Sequence, residues 1–164
     1  MDKQTLLAQL ESRIRGTAQV AERASAAAAE VAREGATPHE QTEDARVAIE
    51  FGALARGQGH RLEKARAELD ELKKLRLPAI ARGGRVAVGA VVEIEDEDNG
   101  EGRTFFLAPV GAGVELTVPG GDGFLTVVTP ASPIGRRVLG RRVGDVIEVT
   151  VEGETRYWKV VWVE

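Results

Sequence analysis

The side chains able to do chemistry are few in this chain and unevenly placed. It has no cysteine and only two histidines, His39 and His60. Disulfides, thiolate metal sites and cysteine nucleophiles are thereby excluded, and no histidine cluster exists for a metal. Carboxylates gather in two places, Glu40-Gln41-Thr42-Glu43-Asp44 and Glu93-Ile94-Glu95-Asp96-Glu97-Asp98-Asn99-Gly100. The second run looks like Ca²⁺-loop material but lacks the alternation and the twelfth-position glutamate of an EF-hand, so it reads as a strand end and a solvated turn. The first follows Thr37-Pro38-His39, and Thr37, Pro38 and Glu40 fit the N-cap, first-turn proline and capping-box glutamate of a helix. Glu43 and Asp44 would complement the positive end of that helix, each by about 0.3–1 kcal/mol. His39 reads as a solvated turn residue. The glycine-rich stretch from Gly111 to Gly123 lacks the lysine-serine/threonine of a phosphate loop and reads as a loop. Guanidinium groups cluster at Arg136, Arg137, Arg141 and Arg142.

The surrounding composition limits what these groups can serve. The 164 residues are 29% charged and 43% hydrophobic, with a net charge of −4, as expected of a soluble folded protein. Residues 1–83 carry 14 Lys/Arg against 13 Asp/Glu, and residues 84–164 carry 8 against 13. A protein that works by neutralising phosphates needs a basic surplus, so sequence-specific DNA binding is not expected. No apolar stretch reaches the roughly 18 residues of a membrane span, and the N-terminus opens into an amphipathic pattern instead of a signal-peptide core. The expectation is a cytoplasmic protein with no membrane partner.

The elements that carry these residues follow from periodicity. Leu7, Leu10, Ile14, Thr17, Ala21, Ala24, Ala28 and Val31 recur at alternating steps of three and four, the seam of a coiled coil. Ala48, Phe51, Ala55, Gln58, Leu62, Ala65, Leu69 and Leu72 repeat the spacing. Pairing 7 with 72, 10 with 69 and 31 with 48 makes each step up one run an equal step down the other, which an antiparallel pair requires. The fold point falls between His39 and Glu40. Gly35 can end the first helix in the left-handed conformation. The reading is a helical hairpin over residues 1–80, with its tip near 35–44 and arms on the order of 45 Å long at about 1.5 Å per residue. Alanines keep the distal part slim, and leucines on both arms make the base the more stable end. Because the seam closes within one chain, a monomer is expected.

After Leu77-Pro78 and Gly83-Gly84 the pattern changes to short β-branched runs separated by Gly, Asp and Pro. Strands are expected at 90–94, 104–108, 124–129, 146–151 and 157–163, with a short helix at 135–139 and a hairpin about Glu152-Gly153-Glu154. Phe105, Phe106, Phe124, Tyr157, Trp158 and Trp162 are expected to pack the core. Residues 84–164 thus form a small β-rich domain, and the fold class is α+β.

The string Thr129-Pro130-Ala131-Ser132-Pro133-Ile134-Gly135-Arg136-Arg137-Val138-Leu139-Gly140, followed by Val143-Gly144-Asp145, resembles the C-terminal domain of the bacterial Gre transcript-cleavage factors. That family carries a serine-proline-leucine/isoleucine-glycine turn, a short helix ending in leucine-glycine, and then valine-glycine-aspartate. Val86 to Val92 is similar to the domain's first strand. Read physically, Ser132 and Pro133 set a turn, Gly135 opens a helix and Gly140 caps it.

The resemblance implies an FKBP-like C-terminal domain that docks on bacterial RNA polymerase core at the rim of the secondary channel. Ser132, Pro133, Arg136, Arg137 and Arg141 would make the contact. It further implies a hairpin that passes down the channel, where tip carboxylates help hold an Mg²⁺ shared with the polymerase active site near the nascent RNA 3′ end, and backtracked RNA is cleaved. The protein would have no cofactor of its own. Glu40, Glu43 and Asp44 would be the catalytic acids, and Glu43 and Asp44 the metal ligands, because Glu40 to Ala45 resembles the family's aspartate-x-x-glutamate-asparagine-alanine tip. It departs from that motif at Glu40, at Asp44 and at Arg46-Val47, where the family has glutamate-tyrosine. A competing register aligns Glu50-Phe51 with that pair and puts Asp44 at the first acid and Val47 at the second. Two further readings stay open: a channel-occupying regulator that does not cleave, and a coiled-coil adaptor unrelated to polymerase.

Overall fold

The structure, a computed structural model, describes residues 2–34, 43–81, 83–121, 123–151 and 153–164. Two helices open the chain, α1 (Lys3–Glu34) and α2 (Glu43–Lys74). Asp2 precedes α1 and caps it: Oδ1 accepts the N–H groups of Gln4 and Thr5 at 3.1 and 3.3 Å, and Oδ2 accepts the Thr5 hydroxyl. Lys73 and Lys74 close α2, where cations complement the helix dipole. The chain divides into two compact units, one of Met1–Glu11 with Glu71–Glu164 and one of Ser12–Asp70.

In the Ser12–Asp70 unit the two arms are antiparallel. The Ser25 hydroxyl donates to the Ala55 carbonyl at 3.1 Å, and Arg66 reaches Glu22 at 3.2 Å, so a step down α1 is a step up α2. On α2, Ala48, Phe51, Ala55, Gln58, Leu62 and Leu69 are half-buried and Ala65 is buried, the seam read from the sequence. On α1 alternate seam positions differ from the reading. Ile14, Ala21 and Ala28 are buried as expected, but Thr17 is exposed and Ala18 buried instead, and Val31 gives way to half-buried Ala32. Ile14, Ala21 and Ala28 keep the seven-residue spacing, and the position between two of them falls one residue later, so Ile14 to Ala18 is a step of four and Ala18 to Ala21 a step of three. The expected turn, with Gly35, Thr37, Pro38, His39 and Glu40, lies outside the described residues.

The other unit is built on a six-stranded sheet. Its strands are β1 (Val91–Asp96), β2 (Gly102–Leu107), β3 (Glu115–Thr117), β4 (Phe124–Val128), β5 (Val146–Val151) and β6 (Glu154–Val163), with helix α3 (Pro133–Val138) between β4 and β5. Their order is β3-β4-β2-β1-β6-β5; β2 and β4 pair in parallel and the other neighbours antiparallel. The expected hairpin is β5–β6, in register Val151 to Glu154. Five strands match the sequence reading to within a few residues. The sixth, β3, occupies the stretch read wholly as loop, where Leu116 pairs with Leu125.

Both faces of the sheet are buried. Val92, Ile94, Phe105, Leu107, Ile147, Val149, Trp158 and Val160 form one core with Val86, Ala90 and Val138 of α3. Their alternates Val91, Phe106, Leu116, Leu125 and Val127 are buried on the other side, in the unit that also buries Leu6, Leu10 and Leu72. Gln9 ties α1 to the edge of β3: its Nε2 donates to the Thr117 carbonyl at 3.0 Å and its Oε1 accepts the Thr117 N–H at 2.9 Å. That contact covers a strand edge otherwise open to pairing.

Two expectations are corrected. Phe105, Phe106 and Trp158 are core residues, but Phe124 is 74% and Tyr157 46% exposed. The acidic run is a strand end and turn, yet Asp96 is not solvated. It is 2% exposed; its Oδ1 accepts the Asp98 N–H at 2.9 Å, and Arg156 stands 3.6 Å from Oδ2.

Candidate functional site

The local structure around Ser132 is fixed by its own backbone. The Ser132 N–H donates to the Thr129 carbonyl at 2.9 Å, its Oγ accepts the Gly135 N–H at 3.0 Å, and Pro133 fills the first position of α3, where no N–H is needed. Gly135 is buried against the turn. A β-carbon added there would lie 2.0 Å from the Thr129 oxygen, so no other residue fits without moving the backbone. Ser132 is half-buried and Pro133 exposed at the head of this rigid turn.

The same turn fixes the arginines. Val138 is buried as the anchor of α3, which leaves Arg136 and Arg137 on its exposed side. Gly140, at φ 80, then turns the chain so that its N–H donates to Val86 O at 2.8 Å, and the Val86 N–H donates to Arg141 O at 2.8 Å. This pairing brings in Arg85, which sequence reading missed; its Nη1 donates to Gly140 O at 2.9 Å. Arg85, Arg136, Arg137, Leu139, Gly140, Arg141 and Asp145 line a shallow open depression. A neighbouring one is lined by Pro133, Arg136, Arg137, Val149 and Thr150, so two guanidinium groups stand between the depression and the Ser132-Pro133 turn. Asp145 is half-buried, and its Oδ2 accepts the Arg142 N–H at 2.9 Å. The structure thus brings Ser132, Pro133, Arg136, Arg137 and Arg141 together on one surface. Arg85 stands beside Gly83-Gly84 in the sequence, and no local spacing connects it with residue 140.

The tip acids are placed less fully. Glu40 lies outside the described residues, and Glu43 and Asp44 are the first two positions of α2. Among the described residues no group of three or more His, Cys, Asp or Glu is arranged to hold a metal ion, and no helix is long and apolar enough to cross a membrane.

An antiparallel helix pair and a small mixed-sheet unit, with arginines lining an open surface depression, define an α+β protein. The comparisons make the assignment narrower. Residues 81–164 match the family model described as "Transcription elongation factor, GreA/GreB, C-term". The chain is 34% identical over 119 residues to the transcription elongation factor GreA of Mesorhizobium japonicum, covering 71% of this chain and 67% of that protein. It is 35% identical over 99 residues to the GreA of Rhodospirillum rubrum, covering 60% of this chain and 54% of the relative. Among solved structures, the crystal structure of GreA factor homolog 1 of Thermus thermophilus is 22% identical, with a TM-score of 0.41 and 94% of each chain covered. The chain belongs to the GreA/GreB family of transcription elongation factors.

Proposed function

We propose that this protein binds bacterial RNA polymerase core at the rim of its secondary channel, through the Ser132-Pro133 turn and the exposed guanidinium groups of Arg136, Arg137 and Arg141. It acts as a monomer in the cytoplasm, and its hairpin enters the channel to promote cleavage of backtracked RNA. The observation that carries this reading is the turn itself. Gly135 locks it against Thr129, so Pro133 and two arginines are presented in one fixed arrangement before any partner arrives.

Inside the channel, Glu40, Glu43 and Asp44 approach the RNA 3′ end. Carboxylate oxygens suit Mg²⁺, and Glu43 and Asp44 are the residues that would hold it. A hard, strongly hydrated ion takes one or two protein carboxylates, and the remaining oxygens would come from the polymerase and the RNA phosphates. Such an ion, when bound, stabilises the attacking and leaving oxygens of the hydrolysis.

The departures at Asp44 and Arg46-Val47 favour a second reading, in which the hairpin occupies the channel without cleaving. Arg46 here pairs with Glu50 at 3.0 Å, so Glu50 is engaged within α2. One assay separates the two. A backtracked elongation complex with Mg²⁺ is incubated with the wild type and with a Glu43→Ala, Asp44→Ala double variant. RNA shortened by the wild type alone supports cleavage through these acids; equal shortening by both removes them from the mechanism. Loss of co-purification with core polymerase on mutating Ser132 and Pro133 tests the docking, and a wild type that never binds polymerase ends the proposal in favour of an adaptor.

A further inference from the structure

We infer that the depression between Arg85 and α3 receives an acidic side chain of the polymerase, with an apolar neighbour against Leu139, and that Arg85 is a specificity determinant of this docking surface. The inference rests on the polymerase reading above and adds to it a residue and a partner chemistry.

Arg85 is positioned before any ligand arrives. The reciprocal pairing of Val86 with Gly140 and Arg141 fixes its backbone, and the hydrogen bond from Nη1 to Gly140 O fixes its guanidinium. Arg141 is held in the same way, its Nε donating to Arg137 O at 3.2 Å. Each bond uses one of five donors, so both groups keep several N–H to offer. Among the described residues no carboxylate forms an ion pair with Arg85, Arg136, Arg137 or Arg141. The one acid lining the depression, Asp145, is already engaged by the Arg142 N–H. Four arginines thus line the depression against one carboxylate, and none of the four is ion-paired among the described residues. Fork-shaped donors of this kind match a carboxylate in two-point contacts.

A nucleic-acid strand is the poorer occupant. Residues 84–164 carry 8 basic against 13 acidic residues, a field that repels a long polyanion. A single carboxylate samples mainly the field within a screening length of about 8 Å, where the arginines dominate. Leu139, 42% exposed on the wall, suits a protein segment better than a sugar-phosphate backbone.

The test measures affinity of the full chain for core RNA polymerase of the same bacterium, against salt, for wild type, Arg85→Glu, Arg85→Met and Arg85→Lys. A thermal melt of each variant checks folding. Arg85→Glu is expected to weaken binding by about tenfold or more, Arg85→Met severalfold with a shallower salt dependence, and Arg85→Lys least. If Arg85→Glu is poorly folded, Arg85→Met decides, since it keeps the packing stem and removes the charge. Wild-type affinity in Arg85→Met overturns the inference, and if a Ser132→Ala, Pro133→Ala variant still loses binding, the polymerase reading survives it. A single-stranded RNA oligonucleotide is measured alongside. Arg85-dependent binding to that RNA with unchanged polymerase affinity would also overturn the inference. No polymerase binding by wild type overturns both readings together.

Discussion

Gly135 sits so close to Thr129 that a β-carbon on it would lie 2.0 Å from the Thr129 carbonyl oxygen and 3.0 Å from Ser132 Oγ. The first contact is to backbone, which cannot swing aside. Gly135→Ala should therefore destabilise the protein by about 3 kcal/mol, the upper end of overpacking costs, seen as a lower denaturant midpoint. Because the turn carries Pro133 and the arginines, polymerase affinity should fall in the same variant. An alanine variant as stable as wild type would mean that the turn is not built this way.

How far the sequence could be read depended on whether the signal was local. The α2 seam was legible at every position because half-burial follows one helical face over its whole length. The same rule misplaced Thr17 and Val31 on α1, where the contact falls one residue later, on Ala18 and Ala32. Strand β3 was hidden because a three-residue strand with one inward residue, Leu116, has no measurable period. Alternation sorted the residues of β4 and β6 between the two faces but could not say how far along each strand the cover extends, so Phe124 and Tyr157 were assigned to the core. At the candidate site, the Ser132 turn was visible as a motif. Arg85 was not, since its place beside Gly140 is set by a pairing between segments far apart in the chain. The chemistry of Glu40, Glu43 and Asp44 is the least legible part, because acids that start a helix and acids that meet a metal have the same spacing.

Leu10 and Gln9 are neighbours with different tasks, and their variants should separate. Leu10 is fully buried, with its Cδ1 2.7 Å from where a β-carbon on Gly111 would be. Leu10→Ala should cost about 3 kcal/mol through lost burial and a residual cavity. Gln9 makes two hydrogen bonds to Thr117 at a partly solvated edge, and Gln9→Ala should cost about 1 kcal/mol. Denaturant unfolding of both variants measures the difference. A Gln9 effect as large as that of Leu10 would contradict the assignment of burial as the main force at this edge.

The cap at Asp2 makes the start of α1 sensitive to acid. The Thr5 hydroxyl, with the N–H groups of Thr5 and Gln4, holds the Asp2 carboxyl below its ordinary value of 3.8. A lowered folded-state pKa means that the capping contribution is complete above about that ordinary value and is lost as pH falls through the lower one. Thr5 and Gln4 amide resonances followed by NMR should therefore shift only in strongly acid solution. In Asp2→Asn, which caps without titrating, the same resonances should stay put. Identical acid shifts in both proteins would assign the change to another group.

Helix α2 carries Gly57 and Gly59 on either side of the seam residue Gln58, and nothing lies within 4 Å of a β-carbon at either position. No packing need therefore excludes alanine, and neither glycine is among those with positive φ. Glycine in a helix interior is less favourable than alanine by about 0.5–1 kcal/mol, because the unfolded chain loses more freedom on ordering. Gly57→Ala and Gly59→Ala should each raise stability by about that amount. Positions two apart on a helix do not face each other, so the double variant should gain nearly the sum. Circular dichroism through a thermal melt measures it, and a fall in stability in either single variant would show that the close contacts at this stretch of α2 differ from those described.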